Sequence, residues 1–280
     1  MELWFSEKHT DHCLFSVKVK QHLLSEKSIY QQIDVFDTED FGIILVLDGF
    51  INVCQKDEFI YHEMITHVPM ASNPDIKSVL IIGGGDGGTT RELLRYDTIE
   101  KVDLVEIDEA VVQTALKYLP FTSCMLHHPK LKLYFEDGVN FVNEKNNLYD
   151  LIIIDSTDPI GPGEGLFTKE FYQNCYQALT EKGILINQNG SPYYERDALA
   201  MIKATKKMES IFDLVKVYQY HLPTYPSGHY LFGFASKKID PTAHLDADRW
   251  NSLGLATKYY NTALHLGAFA LPNYVIDLIK

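Results

Sequence analysis

Val79-Leu80-Ile81-Ile82-Gly83-Gly84-Gly85-Asp86-Gly87-Gly88-Thr89-Thr90-Arg91-Glu92-Leu93-Leu94 sets an apolar, strand-like run directly before a glycine-rich turn and a helix-like segment. That order is the first strand-to-helix turn of a nucleotide-binding unit, and residues 83–88 satisfy GxGxxG. Downstream, Val102-Asp103-Leu104-Val105 begins a series of short apolar strands, continued at 131–135, 151–154, 184–187, 214–218 and 230–235. Amphipathic helical stretches fill the gaps, so an α/β class with a doubly wound parallel sheet is expected. The helix predicted from 108 to about 118 has acidic residues in its first turn and Lys117 near its end, which suits the helix dipole. Upstream, positions 15–19, 30–36 and 43–47 alternate apolar and polar residues before the turn-like Asp48-Gly49. Residues 1–55 therefore read as a small N-terminal antiparallel β domain, and 56–280 as a larger Rossmann-like domain.

The 280 residues are 46% hydrophobic, enough for a buried core. A formal charge of −13 argues against a nucleic-acid partner, because binding a phosphate backbone needs clustered Lys and Arg. A small cationic substrate is favoured near such a surface, although acidity also serves solubility alone. Cys13, Cys54, Cys124 and Cys175 lie far apart with no CxxC pair, and the Met1 end has no signal-peptide pattern. This spacing indicates neither a disulfide framework nor a zinc knuckle, and a reducing cytoplasm is the expected location. No apolar run approaches the roughly 20 residues that span a bilayer, so no membrane association is expected.

The glycine turn also carries a chemical choice. Asp86 inside it would repel the pyrophosphate of a dinucleotide, which such turns otherwise attract. S-adenosylmethionine brings its own carboxylate to that side of the sulfonium, whereas the decarboxylated form presents only an ammonium. Glu106 ends the next strand, where a carboxylate accepts hydrogen bonds from both ribose hydroxyls. The plainer role for Asp86 is to stabilise the turn or cap the following helix. Asp137-Gly138, after strand 131–135, suits either an adenine amino group or a helix cap.

Asp155-Ser156-Thr157-Asp158-Pro159 follows the apolar run 151–154, at the carboxyl edge of the sheet where ligands bind. An aliphatic amine, with a pKa of ~10.4, must lose a proton before it attacks. Asp155 is the candidate general base and Asp158 a diamine-binding partner; an Asx-turn before Pro159 is the structural alternative. Gly161-Pro162-Gly163-Glu164-Gly165 has the composition of a mobile loop, either a lid that keeps water from the sulfonium or a plain surface loop. Tyr61, His62 and Tyr225 are aromatic candidates for holding an amine with cationic ends and an apolar middle. His62-Glu63 and His67 are not a zinc motif, since five helical positions turn the imidazoles roughly 140° apart. His127-His128, followed by Pro129, reads as a pair of solvated loop histidines.

Leu47-Asp48-Gly49, the run DEFIYHEM at 57–64, GGGDGG, Glu106-Ile107-Asp108, DSTDP with the GP after it, TYPSG at 224–228 and Lys258-Tyr259-Tyr260-Asn261 together resemble the spermidine synthase family of polyamine aminopropyltransferases. The resemblance runs from about Leu3 to the carboxyl end. It implies an N-terminal β-stranded domain joined to a seven-stranded, methyltransferase-like Rossmann domain, a homodimer or homotetramer, no metal, and an active site between the domains. By position, it implies that Gln31, Glu106, Asp137 and Gly138 hold the nucleoside, Asp86 binds the aminopropyl ammonium and Asp155 is the base. Tyr61, Asp158, Gln188 and Tyr225 would position the diamine, with His62 as a further substrate contact, Trp4 near the cleft and residues 155–166 as a gatekeeping loop. Asn52 stands where relatives often carry Gln. The implied reaction moves an aminopropyl group from decarboxylated S-adenosylmethionine, a co-substrate and not a prosthetic group, to putrescine or a related diamine, giving spermidine and 5′-methylthioadenosine. Two other readings use the same residues: an S-adenosylmethionine-dependent methyltransferase on the same sheet, and a polyamine- or nucleoside-sensing module that needs no base.

Overall fold

The computed structural model describes residues 2–156 and 161–280. Five antiparallel strands come first and pair in chain order: β1 (Leu3–Thr10), β2 (Cys13–Lys27), β3 (Gln32–Thr38), β4 (Gly42–Leu47) and β5 (Phe50–Cys54). The alternating segments at 15–19, 30–36 and 43–47 fall in β2, β3 and β4, because period-two burial is what a sheet with two distinct faces requires. One face, with Ile33, Val35, Leu45, Leu47 and Val53, packs on Val111, Ala115 and Leu119 of the following unit. The other face buries Val17, Ile44, Val46 and Ile51 beneath partly covered Phe5, Phe15, Phe36 and Phe41.

Helix α1 (Glu58–Ser72) leads into β6 (Ser78–Gly83), α2 (Gly88–Leu93), β7 (Lys101–Glu106), α3 (Glu109–Tyr118), the single-turn α4 (Pro120–Ser123), β8 (Leu131–Phe135), α5 (Gly138–Val142) and β9 (Tyr149–Asp155). A 3₁₀ helix at Gly161–Phe167 precedes α6 (Lys169–Ala178), β10 (Leu179–Gln188), α7 (Glu195–Glu209), β11 (Leu214–His221) and β12 (His229–Ser236). Three short helices, α8 (Ala247–Ser252), α9 (Thr262–Ala268) and α10 (Asn273–Ile279), close the chain. Asp108 caps α3, its side chain accepting from the Ala110 N–H.

Seven strands form the second sheet, in the order β11-β12-β10-β9-β6-β7-β8. From β10 to β8 all pairs are parallel, but β12 runs antiparallel to both β10 and β11. The expectation of a wholly parallel sheet is corrected at this edge. The connection between β11 and β12 is too short for the crossover that parallel neighbours need, so the two strands form a hairpin. From Gly161 the stretch after Pro159 forms the 3₁₀ helix.

Strand order reverses between β6 and β9, since β6 continues to β7 on one side and the chain returns to β9 on the other. Ligands bind at the carboxyl ends of strands around such a switch point. In register, Gly83 pairs with Asp155, so the glycine turn and the start of the DSTDP segment, Asp155-Ser156, emerge side by side. The sheet is apolar on both faces: Val79, Ile81 and Ile153 pack with Met64, Ile65 and Val68 of α1, and Leu80, Ile152 and Ile154 with Phe171, Tyr172 and Cys175 of α6. No single helix among the described residues is long and apolar enough to cross a membrane.

Candidate active site

A cleft of about 250 Å³ lies between the five-stranded sheet and the carboxyl edge of the seven-stranded one. Leu47 and Asn52 line it from the first sheet, and Gly84, Asp86, Glu106 and Asp155 from the second.

Asp155 ends β9, and both its carboxylate oxygens are engaged. Tyr61 Oη donates to Oδ1 at 2.6 Å, and Thr89 Oγ1 donates to Oδ2 at 2.6 Å. The backbone of the glycine turn passes against the same carboxylate. Gly84 has φ +69°, and a Cβ there would stand 2.8 Å from Asp155 Oδ2, so only glycine permits this approach. Burial, with the negative charge of Asp86 added to it, raises the Asp155 pKa above the ordinary carboxylate value; His62, Thr89 and Tyr61 oppose the shift. The result is a carboxylate of increased basicity at a fixed position.

Asp86, Asp155 and the buried His62 converge on one point. His62 Nε2 lies 3.3 Å from Asp86 Oδ1 and Nδ1 lies 2.5 Å from Glu58 Oε2, while the Gly88 N–H also donates to Asp86 Oδ1 at 2.9 Å. Arg91 grips Glu58 with two nitrogens at 3.0 Å and donates to the Phe121 carbonyl. Burial disfavours the His62 imidazolium, but Asp86 and Glu58 outweigh it and raise its pKa to about 10. One ligand atom from each of His62, Asp86 and Asp155 lies within 4.8 Å of the others, a spacing open to a metal ion. His62 already faces a carboxylate on each nitrogen, Glu58 on Nδ1 and Asp86 on Nε2, and the carboxylates of Asp86 and Asp155 suit an organic cation as well.

Glu106, at the end of β7, accepts the Asp108 N–H on Oε1 at 3.0 Å and the Gly85 N–H on Oε2 at 3.2 Å. Each oxygen keeps a further lone pair for a ribose hydroxyl. Burial raises the Glu106 pKa to about 7 against the opposing backbone N–H groups. Gln31 lines the cleft from the first sheet and donates through Nε2 to Asp108 Oδ2 at 2.9 Å. Asp137 caps α5 by accepting the Val139 N–H at 2.8 Å, as foreseen, and it lines the cleft with Gly138.

Gln188, at the end of β10, also lines the cleft. Tyr225 does too, but its hydroxyl already donates to the Asn52 carbonyl at 2.6 Å, leaving its ring as the free feature. The shorter amide of Asn52 turns back on Phe50 O at 2.9 Å. Trp4 corrects an expectation: it is 53% exposed on β1 and is absent from the cleft lining. Asp158, with most of the foreseen gatekeeping segment before Gly161, lies outside the described residues. His67 packs on Tyr96 and Glu92, away from His62, as the five-residue spacing requires.

Residues 58–246 match the family model described as the spermine/spermidine synthase domain, and residues 3–55 that of the spermidine synthase tetramerisation domain. The chain belongs to the spermine/spermidine synthase family. Membership makes it an enzyme of the polyamine aminopropyltransferase class. A polyamine aminopropyltransferase of Clostridium botulinum (strain Eklund 17B) is 61% identical over 280 residues, covering 100% of this chain and 99% of that protein. One of Alkaliphilus oremlandii is 60% identical with the same coverage. Among solved structures, a spermidine synthase in complex with the transition-state analogue AdoDATO superposes with a TM-score of 0.96 at 42% identity, covering 99% of this chain and 94% of that one. The spermidine synthase of Thermotoga maritima follows with 0.93 at 40% identity and the same coverage.

Several residues of this family site escaped the sequence reading. Thr89 sits one position after GGGDGG, where its only sequence signal is a hydroxyl on the first turn of a helix that starts beneath the ligand edge. Glu58 and Arg91 belong to the site through His62, a contact between helices α1 and α2 that no local spacing announces. Asp57 accepts the Thr224 N–H and hydroxyl at 3.0 and 2.7 Å, so the DEFIYHEM and TYPSG motifs are one joint between the sheets.

Proposed function

We propose that the chain transfers an aminopropyl group from decarboxylated S-adenosylmethionine to putrescine, releasing spermidine and 5′-methylthioadenosine by direct displacement with Asp155 as general base. The observation that carries this reading is the convergence of Asp155 and Asp86 around one buried imidazolium, beside a ribose-type carboxylate at Glu106. The relative solved with a transition-state analogue supports a direct transfer. The adenosine is held by Glu106 through its diol, with Gln31, Asp137 and Gly138 around it, and the donor ammonium meets Asp86.

The acceptor arrives as an ammonium and gives one proton to Asp155. The freed nitrogen lone pair forms a bond to the carbon beside the sulfonium. The carbon–sulfur bond breaks, its electron pair stays on sulfur, and the leaving group is a neutral thioether that needs no Lewis acid. Tyr61 and Thr89 hold the carboxylate so that its free lone pairs face the amine, and burial raises its basicity toward that of its target. Self-association through the five-stranded sheet is supported by the tetramerisation-domain match and by the partly covered phenylalanines on its outer face.

Asp155→Asn tests the base. We expect turnover to fall by about 10²–10⁴-fold while the affinity for 5′-methylthioadenosine stays within a few-fold. Near-normal turnover would remove Asp155 from this role. Binding of S-adenosylmethionine as tight as that of its decarboxylated form would favour methyl transfer instead.

A further inference from the structure

The cleft is anionic: among the described residues its lining includes eight acidic side chains, two histidines and no Lys or Arg. Such a lining attracts the most highly charged polyamine available, so discrimination between acceptors needs a cation of the protein's own. His62 supplies one beside the reacting groups. The second lies on β1, where period-two burial turns Glu7 and His9 inward at 3% and 6% exposure.

His9 Nε2 meets Asp197 Oδ2 of α7 at 3.1 Å, and Nδ1 stands 3.6 Å from Glu7 Oε1 without a hydrogen-bond partner. Glu7 uses its other oxygen to accept the Ile51 N–H at 2.8 Å, and Asp197 Oδ1 accepts from the rim residue Arg196 at 3.0 Å. Tyr194 covers the imidazole at a centroid distance of 4.2 Å. Glu7 and His9 both line the cleft that holds Asp155. Burial disfavours the imidazolium, but Asp197 and Glu7 outweigh it and bring the His9 pKa to about 9. Burying three ionisable groups is costly where an apolar pair would pack, and nothing in the transfer step uses them.

We infer that His9 is a specificity-determining residue: its imidazolium occupies the anionic end of the acceptor pocket that the additional ammonium of a longer polyamine would otherwise fill. This rests on the aminopropyl-transfer reading above. With His9 in place, Glu7 and Asp197 share a resident cation and a diamine is the favoured acceptor. Without it, Glu7 faces the cleft with no counter-charge and a triamine gains a partner.

The test is the ratio of kcat/KM for spermidine to that for putrescine in the full-length enzyme, with melting curves to confirm folding. His9→Gln raises the ratio by about tenfold, whereas His9→Lys, which keeps a positive charge between Glu7 and Asp197, leaves it within about threefold. A merely structural pair would be disturbed by both substitutions alike. An unchanged ratio in His9→Gln, or an equal rise in both variants, would overturn the inference. If His9→Gln does not fold, a tenfold rise in His9→Lys is sufficient to overturn it. Absence of aminopropyl transfer to any amine by the unaltered enzyme would instead overturn the function on which the inference rests.

Discussion

A buried carboxylate whose job is to accept hydrogen bonds is most useful when ionised, and Glu106 is held near the edge of that state. Its pKa of about 7 means that acidification protonates it in the folded enzyme well above the ordinary 4.5. A protonated carboxyl loses acceptor capacity for the ribose diol, so affinity for 5′-methylthioadenosine should weaken as pH falls through about 7. Calorimetric titration between pH 8 and 5.5 checks this; a flat affinity would separate Glu106 from the nucleoside. For the unliganded protein the sign is opposite. The folded state holds the proton more tightly than the unfolded one, so this group's contribution to stability is full below 4.5 and is lost as pH rises through 7. Glu106, Asp86 and Asp155 were legible as site residues because each sits at or just after the carboxyl end of an apolar strand. Glu7 and His9 were not, because inward-facing polar residues on an edge strand look the same in sequence as outward-facing ones until register is known.

At the scale of elements, α1 and α2 meet where His62 crosses Gly88. A Cβ on Gly88 would stand 2.2 Å from His62 Cε1 and 2.4 Å from both ring nitrogens. Gly88→Ala must therefore push the helices apart or turn the imidazole away from Asp86. We expect a loss of about 1–3 kcal/mol in chemical denaturation, with weaker acceptor binding. Unaltered stability would mean that the helices part freely here. The parallel core of the sheet was readable from short apolar runs before glycine or acidic turns. The antiparallel β12 was not, because an apolar run carries no direction; only the short connection after β11 sets it.

Over the whole molecule, the acidic residues of one motif tie down distant segments. Glu63, buried in α1, accepts the N–H groups of Lys258, Tyr259 and Tyr260, all at 2.8 Å, which anchors the carboxyl-terminal helices on the catalytic sheet. Glu63→Gln replaces one accepting oxygen with a donor that opposes these groups, and should cost about 2 kcal/mol, with faster proteolysis after residue 250. A protease pattern like that of the unaltered chain would refute the anchor. The sequence alone determined the family, the switch-point turn and the three carboxylates that line the cleft at the strand ends, because these depend on local order: strand, then turn, then acid. Tertiary structure alone decided that Tyr225 spends its hydroxyl on Asn52, that Trp4 leaves the cleft, that Glu58 and His9 join it, and that Thr89 grips Asp155 from beneath it. Those outcomes depend on which side chains from separate segments reach one another, and burial fixes that only once both sheets have closed on the cleft.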